Sequence, residues 1–288
     1  MTRTHRFSTF VLLAALGLFP AGRGFAQGVP SDSLFSGFQA SGDWAADIGG
    51  KPANQAEIYY SERAKSILVM DAALPSPVLV NVAGRTVETL DLMKVAKQPN
   101  GSVDLLADAV LAPQGSFTVD GDGQSMTVSF KIGDLPMSLR PKPWLLGSHP
   151  GADLLAYNPE YARGAYVYQP DPAAMKVLKA QKGKIRVRTF FGSWCPHCKK
   201  HVPMLLKVMQ GLAGSAIQFE FYGLPSPLNQ DPEAVKNDIQ GVPTGIVYID
   251  GKEVGRIPNS EWANPEIGLE HVIENARAAG DKKPAGKS

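Results

Sequence analysis

Residues 190–198 read FFGSWCPHC and contain the two cysteines of the 288-residue chain, Cys195 and Cys198. The apolar run that starts this stretch predicts a buried strand, and the lysine-flanked segment that follows the pair predicts a helix. A chain that places both of its cysteines in one C-x-x-C pair is suited to redox or metal chemistry rather than to a disulfide scaffold. Most of what the sequence indicates about function therefore comes from this turn between strand and helix.

The first 26 residues have the pattern of a secretory signal peptide. Arg3, His5 and Arg6 precede an apolar run over residues 7–19, and a small residue follows at Ala26. The apolar run is shorter than the roughly 20 residues that a membrane-spanning helix needs. We therefore expect cleavage after Ala26 and export to the periplasm, with an uncleaved membrane anchor as the alternative.

Charge and length limit the class of protein. Cleavage removes three arginines and no acid, so the Lys and Arg count falls from 29 to 26 against 27 acidic residues, a formal net charge of −1. This balance offers no case for nucleic-acid binding. About 260 remaining residues predict two domains. No cysteine is left for a structural bridge in an oxidising compartment, so the pair is expected to exchange disulfides.

The N-terminal domain, residues 27–139, is predicted to be β-rich after an irregular or weakly helical start that reaches about residue 55. Short apolar or alternating runs separated by Gly, Asn and Asp turns are typical of antiparallel strands. The predicted strands are 56–60, 66–70, 78–82, 86–92, 116–119, 126–132 and 136–139. Residues 140–170 carry several prolines and aromatics, and we interpret them as a linker that packs against a domain.

Residues 171–279 predict an α/β domain with a central mixed sheet flanked by helices, followed by a polar, disordered tail over residues 280–288. The predicted strands are 185–191, 217–222, 245–249 and 253–257. Helices are predicted from Asp171, Asp231 and Asn264, because each is an N-cap residue followed by proline, and from the cysteine pair, because the residues after it form one apolar face.

The start of the second of these helices favours an ionised cysteine. Cys195 would meet unpaired backbone N–H groups and the positive end of the helix dipole. Four neighbouring side chains add positive or potentially positive charge: His197, Lys199, Lys200 and His201. Such settings lower a cysteine pKa from about 8.5 into a range of roughly 3.5 to 7.5. We predict that Cys195 attacks a substrate disulfide and that Cys198, one turn deeper, resolves the mixed disulfide.

Over about residues 171–279 the order of elements and the motifs resemble the thioredoxin superfamily. Trp194 and the cysteine pair follow a strand and open a helix, and Pro203 sits where the family's active-site helix carries a kinking proline. The residues Val242-Pro243-Thr244 precede a strand where the family has a cis-proline that faces the disulfide. The resemblance implies that Val242–Pro243 is cis, and that Val242, Pro243, Thr244 and Trp194 contact an extended substrate segment.

Details within this resemblance leave the direction of electron flow open. Pro196 and His197 form the dipeptide of the DsbA oxidases, which implies a well-stabilised thiolate and an oxidising pair. The 45 residues from Cys198 to Pro243 are too few for the helical insertion of those proteins and resemble thioredoxin itself or the TlpA group. Thr189 stands where thioredoxin keeps a buried aspartate, and Glu220 is a candidate to supply that acid in a proton relay, or is a solvated strand residue.

Two other functions compete with thiol-disulfide exchange. Cys195, His197, Cys198 and His201 could bind copper(I) or zinc, and a thioredoxin-like domain could serve as a non-catalytic adaptor. Thiol-disulfide exchange, the function we expect, requires no metal and no organic cofactor. Its expected partners are protein thiols or disulfides and a membrane or soluble redox partner. The N-terminal domain resembles no family that we can name, and it offers a surface for a homodimer.

Overall fold

The computed structural model describes residues 37–281. The predicted signal peptide and nearly all of the predicted tail lie outside the described residues. The chain divides into two units, Met1–Ser31 and Asp32–Ser288, and the described residues belong to the second. Within the described range, no helix combines the length and apolarity needed to cross a membrane.

The N-terminal region is strand-rich, as its short alternating runs predict. Its strands are β1 (Gln39–Ala40), β2 (Trp44–Ile48), β3 (Lys51–Pro52), β4 (Glu57–Ser61), β5 (Ser66–Met70), β6 (Val78–Asn81), β7 (Thr86–Thr89), β8 (Val95–Lys97), β9 (Val103–Leu105), β10 (Ala112–Ser116), β11 (Thr118–Asp120), β12 (Thr127–Ile132) and β13 (Leu135–Pro141). One sheet has the order β1-β4-β5-β6-β7-β10 and a second has the order β11-β12-β13-β2-β3.

These two antiparallel sheets form a sandwich with a shared apolar core. Val69 and Val80 of the first sheet pack in one cluster with Ile48, Phe130 and Leu139 of the second. The opposite face of the first sheet forms another cluster with the β8–β9 hairpin and Phe38. Strand β5 is therefore covered on both faces, which explains why its residues are apolar almost without alternation.

The prediction of an irregular start up to residue 55 is wrong in part. Residues 44–48 form a strand that pairs with β13 inside the second sheet. Ala46 and Ile48 point into the core, while Ala45 and Asp47 are less buried. The alternation of this strand is weak in the sequence because two of its five residues are alanines, which carry little apolar contrast.

The C-terminal region has a central mixed sheet of order β14-β16-β15-β17-β18, as predicted for the α/β domain. Its strands are β14 (Gly147–His149), β15 (Ile185–Phe191), β16 (Ile217–Gly223), β17 (Thr244–Ile249) and β18 (Lys252–Arg256). Its helices are α1 (Gly151–Tyr157), α2 (Pro159–Val167), α3 (Pro172–Ala180), α4 (Pro196–Gly211), α5 (Pro232–Lys236) and α6 (Pro265–Asp281). Strands β15 and β16 are parallel, and the other neighbours are antiparallel.

The segment 140–170 is not only a linker. It contributes the edge strand β14, which pairs with β16, and both α1 and α2. Its prolines mark the starts of elements: Pro150 precedes α1, and Pro159 occupies the first turn of α2 behind the capping side chain of Asn158. Proline at a helix start loses no hydrogen bond, so a proline-rich stretch also fits successive short helices.

Candidate active site

The cysteine pair lies where β15 ends and α4 begins. Cys195 is the N-cap of α4 and Pro196 is its first residue, a position that proline favours because its missing N–H has no partner there. The turn before it needs a glycine, since a Cβ on Gly192 would lie 2.6 Å from the Trp194 ring. The Ser193 hydroxyl accepts a hydrogen bond from the Leu145 N–H at 3.0 Å.

The two thiols are free and differ in their surroundings. Cys195 retains 6% exposure and its thiol donates to the Val242 carbonyl oxygen at 3.6 Å. Cys198 is fully buried in the core cluster of this domain, and the Gly192 N–H donates to its sulfur at 3.4 Å. Cys195 therefore keeps a small exposed surface, whereas Cys198 lies beneath it with none.

The environment lowers the pKa of Cys195 to about 6. The largest cause is a hydrogen bond from the Cys198 side chain to the Cys195 thiolate; the backbone of Cys198 and His197 and the charge of His197 act in the same direction, while burial opposes them. Burial, followed by the contact with Cys195, raises the pKa of Cys198 well above its usual range. This asymmetry gives Cys195 the character of a nucleophile and Cys198 that of a resolving thiol.

Lys199 and Lys200, which were predicted to favour the Cys195 thiolate, are not among the causes of its low pKa. Lys199 instead forms an ion pair with Asp43 of the β-sandwich, at 2.5 Å. A second contact links Arg163 of α2 to Gln39. The sandwich thus touches the active-site helix one turn from the nucleophile, a contact without any signal in the sequence.

Residues 242–244 lie opposite Cys195. The Val242–Pro243 peptide bond is cis, and the Thr244 hydroxyl donates to the Gly241 carbonyl at 2.7 Å. A cavity of about 680 Å³ beside these residues is also lined by His197, His201 and Trp262. The structure therefore brings together the two motifs that the sequence separates by more than forty residues.

Trp194 lies on the other side of the pair. Its Nε1 donates to the Leu224 carbonyl oxygen at 2.9 Å, and its ring packs 6.1 Å from that of Trp144. Trp144 belongs to the segment interpreted as a linker, so this second tryptophan was missed as a neighbour of the site. Its proximity follows from the edge strand β14, which returns the chain to the sheet.

Glu220 does not lie beside Cys198, which corrects the proposed relay. It pairs in register with Arg188, whereas Thr189 pairs with Phe221, so Glu220 and Thr189 lie on opposite faces of the sheet. Phe221 belongs to the cluster that contains Cys198. Glu220 forms ion pairs with Arg188 at 3.0 Å and Arg186 at 3.2 Å.

His201 lines the cavity and does not join the cysteines in a metal site. Burial lowers the pKa of His201, followed by the charge of Lys200, so its imidazole stays neutral to lower pH. Among residues 37–281, no group of three or more His, Cys, Asp or Glu side chains is placed to hold a metal ion. The alternative set of Cys195, His197, Cys198 and His201 is therefore not assembled as a ligand cluster.

Comparisons with known proteins match the C-terminal part of the chain. The Thioredoxin family model matches residues 173–274. Thioredoxin-1 and Thioredoxin-2 of Saccharomyces cerevisiae are 31% and 36% identical over 93 and 96 residues, which are 32% and 33% of this chain and 82% and 85% of the yeast proteins. The X-ray structure of Fasciola hepatica thioredoxin is 24% identical, covers 35% of this chain and 88% of its own, and has a TM-score of 0.25.

The family-model match leaves the strands of the β-sandwich outside the aligned residues. It includes the cysteine pair, the active-site helix, residues 242–244 and most of α6. Through this C-terminal domain, the chain belongs to the thioredoxin superfamily, whose members have thiol-disulfide oxidoreductase-like functions.

Proposed function

We propose that this protein is an exported thiol-disulfide oxidoreductase that exchanges disulfides with protein substrates through Cys195 and Cys198. The observation that carries the proposal is the asymmetry of the pair. Cys195 has a pKa of about 6 at the start of α4, and Cys198 is buried directly behind it. An exchange reaction needs such an accessible thiolate and a second thiol within reach of the mixed disulfide.

The cavity beside Val242 supports a protein substrate. Its lining includes residues 241–244 together with Trp262. An extended peptide bound there would offer its cysteine to Cys195 while its backbone pairs with Val242, a mode in which main-chain hydrogen bonds supply affinity without strict sequence preference. Trp194 would border the same substrate from the other side.

The low pKa of Cys195 favours the oxidant direction. A stabilised thiolate stabilises the reduced form of the pair, and a pair with a stable reduced form is a stronger oxidant. Equilibration with glutathione buffers of known ratio, read by mass spectrometry, measures this potential. A value near that of thioredoxin would instead assign the protein to the reductants.

Export to the periplasm rests on the signal-peptide pattern of residues 1–26. A redox partner, either in the membrane or soluble, would restore the pair after each turnover. We further propose that the β-sandwich is the surface of a homodimer. Fractionation of cells with N-terminal sequencing tests the export, and light scattering of the purified protein tests the dimer.

The decisive experiment is the capture of substrates on Cys195. Cys198→Ser leaves the nucleophile but removes the resolving thiol, so substrate proteins should accumulate as mixed disulfides that a reductant releases. Cys195→Ser is the matched control and should capture none at this site. Absence of trapped protein on Cys198→Ser, combined with full biological activity of Cys195→Ser, would rule out exchange and leave the adaptor function.

A further inference from the structure

A tyrosine of α2 lies fully buried beneath the active site with its hydroxyl unpaired. Tyr161 has no exposed surface, and its hydroxyl has no hydrogen-bond partner among residues 37–281. Burying a hydroxyl without a partner costs free energy, which phenylalanine at the same place would avoid.

Helix α2 places Tyr161 level with the first turns of α4. On one side of it, Tyr157 interacts with Ser193 just before the cysteine pair. On the other side, Gly164 lies against Pro203, where an added Cβ would come within 2.7 Å of the proline ring. Tyr161 lies between these two contacts and packs in the same core cluster as Cys195 and Cys198.

The Tyr161 side chain packs in the buried cluster that contains both thiols. Burial is the main cause that raises the pKa of Tyr161, and among its charged neighbours Cys198 acts most strongly, ahead of Tyr157, Glu160 and Cys195. A phenol whose pKa is raised stays protonated at all physiological pH values. It is therefore a permanent hydrogen-bond donor, packed in the same buried cluster as the resolving sulfur, and not a base.

A hydrogen-bond donor would stabilise the thiolate form of Cys198. Its sulfur must become a thiolate to attack, yet burial disfavours the charged form. The Gly192 N–H at 3.4 Å is a donor to it, and the sheet presents Thr189 rather than an acid on this face. Glu220 lies on the opposite face, so no carboxylate from that strand position reaches the sulfur.

We propose that the Tyr161 hydroxyl donates a hydrogen bond to the Cys198 sulfur while that sulfur becomes anionic in the resolving step. The inference rests on the thiol-disulfide exchange proposed above and names a residue that stabilises its second half. Donation to a developing thiolate in this buried site is stronger than the same bond in solvent, because the local dielectric constant is low.

Cys195 first attacks the substrate disulfide, forms a mixed disulfide and releases one substrate thiolate. Cys198 then loses its proton and attacks the Cys195 sulfur, so that the Cys195–Cys198 bond forms and the bond to the substrate breaks. The second substrate sulfur leaves as a thiolate with the two electrons of the broken bond, and it can take up the proton that Cys198 lost. Tyr161 keeps its own proton throughout.

Single-turnover reaction of the reduced protein with dithionitrobenzoate separates the two halves. Attack by Cys195 releases the first coloured thiolate, and resolution by Cys198 releases the second. We expect Tyr161→Phe to leave the first phase unchanged and to slow the second about tenfold, as for a lost hydrogen bond to a charged group. Its Tm should be equal to or higher than that of the wild type, because the unpaired hydroxyl is gone, whereas a purely structural role of the hydroxyl would lower it.

Tyr166→Phe is the matched control, since Tyr166 lies on the same helix but is 77% exposed. Tyr161→Met provides a second variant without the hydroxyl, should the phenylalanine variant fail to fold. Equal second phases in wild type and Tyr161→Phe would overturn the role of Tyr161 and leave the exchange reaction standing. A wild-type protein without any second phase would overturn the exchange reaction itself.

Discussion

Replacing Cys198 with alanine should deactivate Cys195 although the nucleophile itself is untouched. The hydrogen bond from the Cys198 side chain is the largest cause of the low Cys195 pKa, ahead of the backbone and the charge of His197. With a pKa of about 6, roughly nine in ten Cys195 side chains are thiolates at pH 7, against roughly three in a hundred at the ordinary value of about 8.5.

The variant retains the backbone of α4 and His197, so only part of the stabilisation disappears. If the titration midpoint of Cys195 moves to about pH 8, the thiolate fraction at pH 7 falls about tenfold, and the rate of alkylation falls with it. Cys198→Ser should show a smaller change, because its hydroxyl can still donate to the sulfur. The substrate-trapping variant should therefore contain serine and be used at or above pH 8.

The assay is the rate of alkylation by iodoacetamide between pH 5 and 9, followed by mass spectrometry of the Cys195 peptide. Thermal unfolding of each variant checks that the fold is intact. An alanine variant that titrates at the wild-type midpoint would refute the reasoning and assign the activation to the helix terminus and His197. A wild-type midpoint near pH 9 would refute the low pKa itself.

Three further outcomes are expected. The free energy of unfolding of the reduced protein should rise with pH between about 6 and 8, by at most about 1.4 kcal/mol per pH unit, because Cys195 binds a proton in the unfolded state that it does not bind in the folded state. This contribution is lost as the pH falls through 6. Denaturant unfolding of Cys195→Ser should lack this pH dependence. Glu220→Gln should leave both phases of the dithionitrobenzoate reaction unchanged and lower the free energy of unfolding by no more than about 1 kcal/mol, because its ion pairs are partly exposed; a slowed second phase would restore the relay that its position argues against. Gly164→Ala should destabilise the protein by about 1–3 kcal/mol, because the added Cβ clashes with Pro203. Gly241→Ala, which has open space around it, is the control in the same denaturation series. Equal denaturation midpoints for the two variants would contradict the close packing of α2 on α4.

The parts of this molecule that the sequence predicts are those fixed by local patterns. Cys195 and Cys198 stand at a strand-to-helix turn that apolar runs and a proline mark, and β15, β16 and α4 lie where periodicity places them. Most of the predicted sandwich strands agree with observed ones to within a few residues. The strand β5 keeps both of its predicted ends.

The parts that escaped prediction depend on distant partners. Strand β2 is recognisable only once β13 is beside it, and β14 only once β16 is. The face on which Glu220 lies depends on a register that a single strand does not specify, since a shift of one residue reverses every side chain. The Asp43–Lys199 contact joins residues 156 positions apart. The burial of Tyr161 near the cysteines depends on how α2 packs in this domain, which local sequence patterns do not specify.

The edge strand β14 also has a consequence for how the chain folds. An autonomous redox module cut at residue 171 would lack β14, α1 and α2, and would expose the backbone of β16 as an unpaired edge that invites aggregation. In a chain that grows from its N-terminus, residues 147–149 must wait unpaired until β16 has been made and placed. The boundary that keeps this sheet whole therefore lies before β14, although the family match begins only at residue 173.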